Sequence, residues 1–526
     1  MKNIKKTFVL FSTLGLLLLT MPETEVLADE AELAAYVPAD ALVYLEVKDL
    51  AAVLDGLVSS SFSENFLKSQ VFEEFTLSKL ANKLADRMRA LEEATGYGVS
   101  VKNLQAIAGS RTAFALYDIG ELRFLFLTKI PAEKVLASSL WNLRDSFEIR
   151  RVEDSDTEYF VKEDSYGQVS LAFTLVGDTL LVGTDVLRFE NALMLLKNGG
   201  SSLAGSEKFE TAFDGAAEYD DVLLYLDQQR IGASTYFRSY WIYGNQEELE
   251  DIESVGISVS LSDDEIREVR RIHRGRLPNK LSSDVSSLAR LLPDSEYTEY
   301  GSVAGSADAL KSLLGGFLPA NDKTHLDNFV ETISLAAPRD YGLAVSLGDS
   351  KGFHQDVHRV VAFRLENGSS FNRSSFESVL SNAYAESLLA DGIGELKFVD
   401  RSGARILDIP LFETSAPAYR LTDDVLLISE SQALLTQNTA TSQFPDERDS
   451  LFSALRMDVA GTFGKTGNLL GAVSGGNAWN STSNASFFGS NIPALFGILG
   501  DIEELTVYRE VQDKTVVETV TYKIKE

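Results

Sequence analysis

The sequence predicts an α+β fold: two tandem homologous domains, each a largely antiparallel sheet with helices on one face. Three observations predict it. The first is a hairpin–helix unit in residues 170–200, SLAFTLVGDTLLVGTDVLRFENALMLLKNGG. Apolar Leu171, Phe173 and Leu175 lead there into Gly177-Asp178, a pair suited to a tight primed turn. The second is the return of this unit as AYRLTDDVLLISESQALLTQ, with Asp423-Asp424 at the turn and Leu426-Leu427 answering Leu180-Leu181. The third is spacing. Hairpin patterns dominate both halves and regular βαβ spacing is missing, which favours antiparallel pairing.

In the first half, Pro38 and Asp40 mark a turn, ALVYLEV reads as a mostly buried strand, and Asp49 caps a short helix. SENFLKSQVFEEF and SKLANKLADRMRALEEATG read as helices, the second closed by Gly96 and carrying Leu80, Leu84, Met88 and Leu91 along one face. RTAFALYD and LRFLFLTKI form paired strands, and Pro131 precedes AEKVLASSLWNLRDSF, an amphipathic helix. Short strands in EIRRVED and EYFVKED lead to the hairpin. Asp185 then offers a side-chain oxygen to the free N–H groups of a first helical turn. Phe189, Ala192, Leu193 and Leu196 follow on one face, and Gly199-Gly200 stops the helix. Ser206 caps a helix containing Phe209 and Phe213, and DVLLYLD is a buried strand. SVGISVSL and EIREVRRI close the half as a hairpin across Asp263-Asp264.

The second half repeats this order. LLPDSEYTEYGSVAGSADALKSLLGGF answers the opening, with Pro293 for Pro38. DYGLAVSLGD and RVVAFRLE answer the central strands, and SSFESVLSNAYAESLLA the helix after them. Phe452 in DSLFSAL answers Phe209, DVAGTF answers DVLLYL, and Asp501-Ile502-Glu503 repeats Asp251-Ile252-Glu253 at the start of the closing hairpin. Landmarks displaced by about 250 residues point to two tandem domains rather than a repeat array. The boundary falls in RGRLPNKLSSDVSSLAR, between Arg274 and Arg290, which is polar and contains Pro278. The expected parts are residues 1–28, 29–280 and 281–526.

Residues 1–28 read as a signal peptide. Lys2, Lys5 and Lys6 precede the apolar core TFVLFSTLGLLLLT, and Val26-Leu27-Ala28 suits cleavage before Asp29. That core falls short of the roughly 20 residues needed to span a bilayer. The chain has no cysteine, hence no disulfide framework and no thiol for acylation. The expected product is periplasmic or extracellular, with no integral membrane segment. A formal net charge of −30 repels phosphate backbones and anionic lipid heads, which argues against nucleic acid and membrane-surface binding.

VPADALVYLEVKD, GDTLLVG with Asp178, and SEKF with Phe209 resemble the pattern of a bacterial secreted or envelope protein family of unknown function. That family opens with an LPADTxxYL-like motif after a signal peptide and carries a later D-x-LLxG strand and an SxxF helix. The second half keeps LLP, DDVLLIS and DSLF but lacks the glycine after its paired leucines. The resemblance brings no catalytic residues with it.

No motif calls for a cofactor or metal. Of the four histidines, His354 and His358 have helical metal-ligand spacing in HQDVH, but this leads into the strand pattern VVAFRL, where they would stand about 13 Å apart. GTFGKTG matches only the end of a phosphate-binding loop, because Val459 stands where its first glycine is required. EDSDTE lacks the glycine and terminal glutamate of a calcium loop. Acid pairs such as Asp154 with Asp156, or Asp263 with Asp264, carry no signal in so acidic a chain.

Two aromatic stretches are the candidate partner-binding surface. STYFRSYWIYG holds Tyr236, Phe237, Tyr240, Trp241 and Tyr243; AWNSTSNASFFGSNIPALF holds Trp479, Phe487 and Phe488. Such residues anchor a partner or fold back over a sheet. EIREVRRIHRGR, with Arg267, Arg270, Arg271, Arg274 and Arg276, reads as an edge strand charged against aggregation and paired with nearby acids. The function this favours is a secreted or periplasmic, non-catalytic protein that binds or scaffolds another envelope protein or a glycan. The alternative is a secreted hydrolase using a carboxylate pair.

Overall fold

The computed structural model describes residues 33–59, 79–118, 120–152, 157–164, 169–213, 221–234, 250–262, 264–281, 285–318, 323–347, 357–388, 396–409, 416–422, 424–436, 451–459 and 502–524. These fall into two compact units, divided between Arg276 and Leu277.

Unit 1 contains β1 (Val43–Lys48), β2 (Arg111–Asp118), β3 (Arg123–Lys129), β4 (Glu148–Arg151) and β5 (Glu158–Glu163). Its later strands are β6 (Ser170–Val176), β7 (Thr179–Gly183), β8 (Val222–Leu226), β9 (Ile252–Leu261) and β10 (Glu265–Arg274). They run in the order β4-β5-β6-β7-β3-β2-β1-β8-β9-β10, and every neighbouring pair is antiparallel.

Unit 2 contains β11 (Tyr297–Ser302), β12 (Pro338–Leu347), β13 (Val357–Leu365), β14 (Lys397–Arg401) and β15 (Ala404–Asp408). After these come β16 (Ala418–Leu421), β17 (Val425–Ser429), β18 (Leu451–Asp458), β19 (Ile502–Gln512) and β20 (Thr515–Ile524). Their order is β14-β15-β16-β17-β13-β12-β11-β18-β19-β20, again antiparallel throughout. Strand for strand, this is the order found in unit 1.

The hairpin–helix unit forms for the reasons its sequence gives. Gly177 adopts φ +62°, which lets Val176 pair with Thr179 across a two-residue turn. Asp185 accepts the Arg188 backbone N–H, and Gly199, at φ +68°, donates its own N–H to the Leu195 carbonyl. Phe189, Ala192, Leu193 and Leu195 are buried between these caps, while Leu196 is only half-buried. Phe189, Ala192 and Leu193 join Leu33, Ala34, Tyr44, Leu125, Leu181 and Phe209 in one core cluster of unit 1. Burying each such large apolar side chain contributes about 1.5–3 kcal/mol. At Gly256 an added Cβ would lie 2.1 Å from the Ala212 carbonyl oxygen, so helix Glu207–Phe213 rests directly on the β9 backbone.

Three expectations need correction. Helices cover both faces of the unit 1 sheet, not one. Tyr159 and Phe160 are adjacent on β5 and therefore point to opposite faces. Phe189 of helix Val186–Asn198 packs on Tyr159, while Trp141 packs on Phe160 from the other side. AEKVLASSLWNLRDSF is not a continuous helix but breaks at Ser138, whose backbone is extended. Its hydroxyl donates to the Val135 carbonyl and accepts the Trp141 N–H, so one side chain closes the first segment and caps the second. Phe452 lies on strand β18 rather than on a helix answering Phe209. LFSALRMD buries every residue but Phe452, Arg456 and Asp458 and pairs with β11 and β19, the place β8 holds between β1 and β9. Expected helix SENFLKSQVFEEF and most of DVAGTF lie outside the described residues.

Candidate functional site

Most residues expected to carry function lie outside the described part of the chain. Tyr236, Phe237, Tyr240, Trp241, Tyr243, Trp479, Phe487 and Phe488 all do, as do His354, Asp154, Asp156, Asp263, Asp423, Asp501 and the GTFGKTG segment. Connectivity nevertheless places the two aromatic stretches at corresponding points, between β8 and β9 and between β18 and β19. His358 falls on strand β13. Among the described residues, no three His, Asp or Glu side chains gather closely enough to hold a metal ion.

Two arginines of β10 are engaged within unit 1. Arg270 binds Glu268 through Nε at 2.5 Å and Nη2 at 2.9 Å, both residues being buried. Arg274 binds Asp251 at 3.1 Å, and that carboxylate also accepts the Arg276 backbone N–H.

What the sequence reading missed is buried acid. Each unit places a Tyr-x-Glu on its central strand, and the period of two puts both side chains on one sheet face. In unit 1, Tyr44 OH and Arg111 Nε both donate to Glu46, which is 3% exposed. In unit 2, Tyr297 OH donates to Glu299 at 2.5 Å and Tyr341 OH at 2.7 Å, with Glu299 2% exposed. Beside them on the same face, Arg509 donates from Nε to Glu518 at 2.5 Å and from Nη1 to Ser453 at 3.3 Å. The available signal was a glutamate inside an otherwise apolar strand run, YLEV or YTEY.

Chemically the unit 2 cluster is closed. Burial, reinforced by the Glu299 charge, pushes the Tyr297 and Tyr341 hydroxyls well above their ordinary range. They are therefore fixed donors and cannot serve as bases or nucleophiles near neutral pH. Glu299 spends one oxygen on each phenol, and Arg509 is already held by a carboxylate and a hydroxyl. Elsewhere in unit 2, Arg405 binds Glu377 through two nitrogens at 2.8 and 2.9 Å while Tyr419 OH donates to it at 2.6 Å. Burial alone would raise the Glu377 carboxyl; the hydrogen bonds from Arg405 and Tyr419 outweigh that and hold it below the usual glutamate range.

No family model matches the chain, and no curated protein matches it either. Solved structures give a faint likeness. One, titled "Structure of crystal form IV of TP0453", is 11% identical over 46% of this chain and 81% of that chain, with a TM-score of 0.26. A second, "Structure of crystal form III of TP0453", is 12% identical over 50% and 87%, also with a TM-score of 0.26. At those scores the likeness carries no argument about fold or function.

Proposed function

We propose that this chain is a secreted or periplasmic, non-catalytic protein whose two domains arose by duplication and which binds or scaffolds another macromolecule of the cell envelope. The observation that carries the non-catalytic part is the spent chemistry of the buried and half-buried acids. Glu46, Glu299, Glu268, Glu518 and Glu377 are each engaged by tyrosine or arginine within their own unit. A hydrolytic pair needs carboxylates converging on substrate with their lone pairs available.

Duplication is supported by the common strand order and by what the registers place at corresponding positions. Counting outward from the two hairpin turns, Lys129 corresponds to Arg364 and Asp178 to Asp424. Both pairs form ion pairs, at 3.2 and 2.7 Å. Domains spanning residues 29–280 and 281–526, preceded by a signal peptide, fit this reading. So does the likeness of VPADALVYLEVKD to a secreted family's opening motif.

Partner binding is assigned to the aromatic segments that interrupt both units between corresponding strands. The test is a pull-down of the mature protein from its own envelope fraction, compared with Tyr240→Ser/Trp241→Ser. Capture should be abolished with the thermal midpoint nearly unchanged. A large fall in the midpoint would make these residues core and overturn the assignment.

A further inference from the structure

We propose that Asn367-Gly368, in the link between β13 and helix Arg373–Leu388, is a site of spontaneous deamidation, where the backbone itself converts an asparagine into an acid. The chain has two Asn-Gly pairs, Asn198-Gly199 and Asn367-Gly368, and both asparagines are exposed. The reaction needs the glycine backbone nitrogen to reach the preceding side-chain amide, and a residue without Cβ leaves that approach open. In sequence the two pairs are alike; the fold separates them.

At Asn198 the attacking nitrogen is engaged. Asn198 is the last residue of helix Val186–Asn198, and the Gly199 N–H donates to the Leu195 carbonyl at 2.9 Å. Attack there requires breaking that bond and opening the helix end. Asn367 is not helical, with φ −134° and ψ 64°. Gly368 opens the 3-10 turn Gly368–Ser370, so its N–H has no acceptor within that turn. The Ser369 hydroxyl donates to Asn367 Oδ1 at 2.9 Å. Negative charge develops on this oxygen as the amide carbon is attacked, so the serine stabilises the intermediate.

Solvent hydroxide takes the Gly368 N–H proton, and the nitrogen bonds to Asn367 Cγ. The Cγ–Nδ2 bond breaks, and Nδ2 leaves as ammonia after taking a proton from water. Water then opens the succinimide at either carbonyl, leaving aspartate or isoaspartate at position 367. Both products add one negative charge. In isoaspartate the main-chain carbonyl that accepts the Ser370 N–H at 2.9 Å becomes a free carboxylate, and the backbone gains a methylene. The Asn367 N–H donates to the Ala336 carbonyl at 3.2 Å, so this change falls where the link is tied just past helix Lys323–Ser334.

The test ages the full chain in mildly alkaline buffer and maps it by peptide mass spectrometry, with isoaspartate scored by its separate elution. Conversion at Asn367 should run many-fold ahead of Asn198, and in strong denaturant the two should converge. Ser369→Ala should slow conversion at Asn367 several-fold, and Gly368→Ala should all but stop it, with circular dichroism confirming that each variant is folded. Asn198 converting as fast as Asn367 in the folded chain, a lead that persists undiminished in denaturant, or Ser369→Ala converting as fast as the unaltered protein would each overturn the proposal.

Discussion

Unit 1 and unit 2 share one strand order yet turn the glutamates of their Tyr-x-Glu pairs, Glu46 and Glu299, to opposite faces of their sheets. The registers make Leu45 correspond to Glu299, and Glu46 to Tyr300. YLE and YTE look like the same motif but sit one residue out of step, and with a period of two one residue is a change of face. Glu46 therefore lies on the side of Tyr44, which packs edge-on against Phe209, and is steadied by Arg111. Glu299 lies on the other side and recruits Tyr341, with Arg509 close by. Glu268 and Glu518 do correspond, but their arginines come from different places: two residues along the same strand in unit 1, directly across the ladder in unit 2. Topology fixes where a strand runs; which face carries charge is decided residue by residue.

The largest test of this contrast is Arg509→Met. It leaves Glu518 buried without its cation and should cost unit 2 about 3–5 kcal/mol. The double variant Arg509→Met/Glu518→Leu should recover much of that, and protection in unit 1 should not change in either. Site-resolved hydrogen exchange reads both units at once, and equal losses in the two would dissolve the comparison.

A smaller effect separates the two Tyr-x-Glu sites. Tyr297→Phe/Tyr341→Phe removes both phenolic donors from Glu299 and should destabilise unit 2 by about 1–3 kcal/mol for each donor lost. Tyr44→Phe should cost less, because Arg111 still holds Glu46. Denaturant titrations of the variants would rank them, and a costlier Tyr44→Phe would make the Arg111 contact the lesser one.

The smallest effect is an acid one in unit 2. Glu377 is held below its ordinary range in the fold, so its contribution is present above the range of an unfolded glutamate. It is lost as pH falls through the lower, folded value. Glu377→Gln should accordingly flatten the acid limb of unit 2 stability while leaving that of unit 1 as it was. An acid limb unchanged by the substitution would show that the Arg405 contact contributes nothing measurable.

The hairpin–helix in residues 170–200 was legible because turn, cap and apolar stripe all point the same way. Ser138 was not: a serine in a helical stripe is ordinary, and only the folded backbone shows its hydroxyl serving both neighbours. Phe452 misled because Asp449 precedes it by three residues, as the cap candidate Ser206 precedes Phe209, whereas LFSALRMD pairs as a central strand whatever its likeness to a helix start. The second helical layer escaped because the aromatic partners that cover each face, Phe189 on Tyr159 and Trp141 on Phe160, come from other elements, and no local pattern assigns a helix to a face. Among the site residues, the Tyr–Glu pairs could have been found from acids inside apolar runs. Their partners Tyr341 and Arg509 come from other strands, and no local pattern names them.

Trp141 gives the molecule a built-in optical handle. It is one of three tryptophans, and its ring meets Phe160 at 5.6 Å and Phe173 at 6.1 Å on the unit 1 sheet. With Trp241 and Trp479 exchanged for phenylalanine, all indole emission would arise from unit 1, and unit 2 would be dark. The fluorescence of the whole chain would then follow one unit melting while circular dichroism follows both. The lag between the two signals would measure how far the units unfold on their own terms.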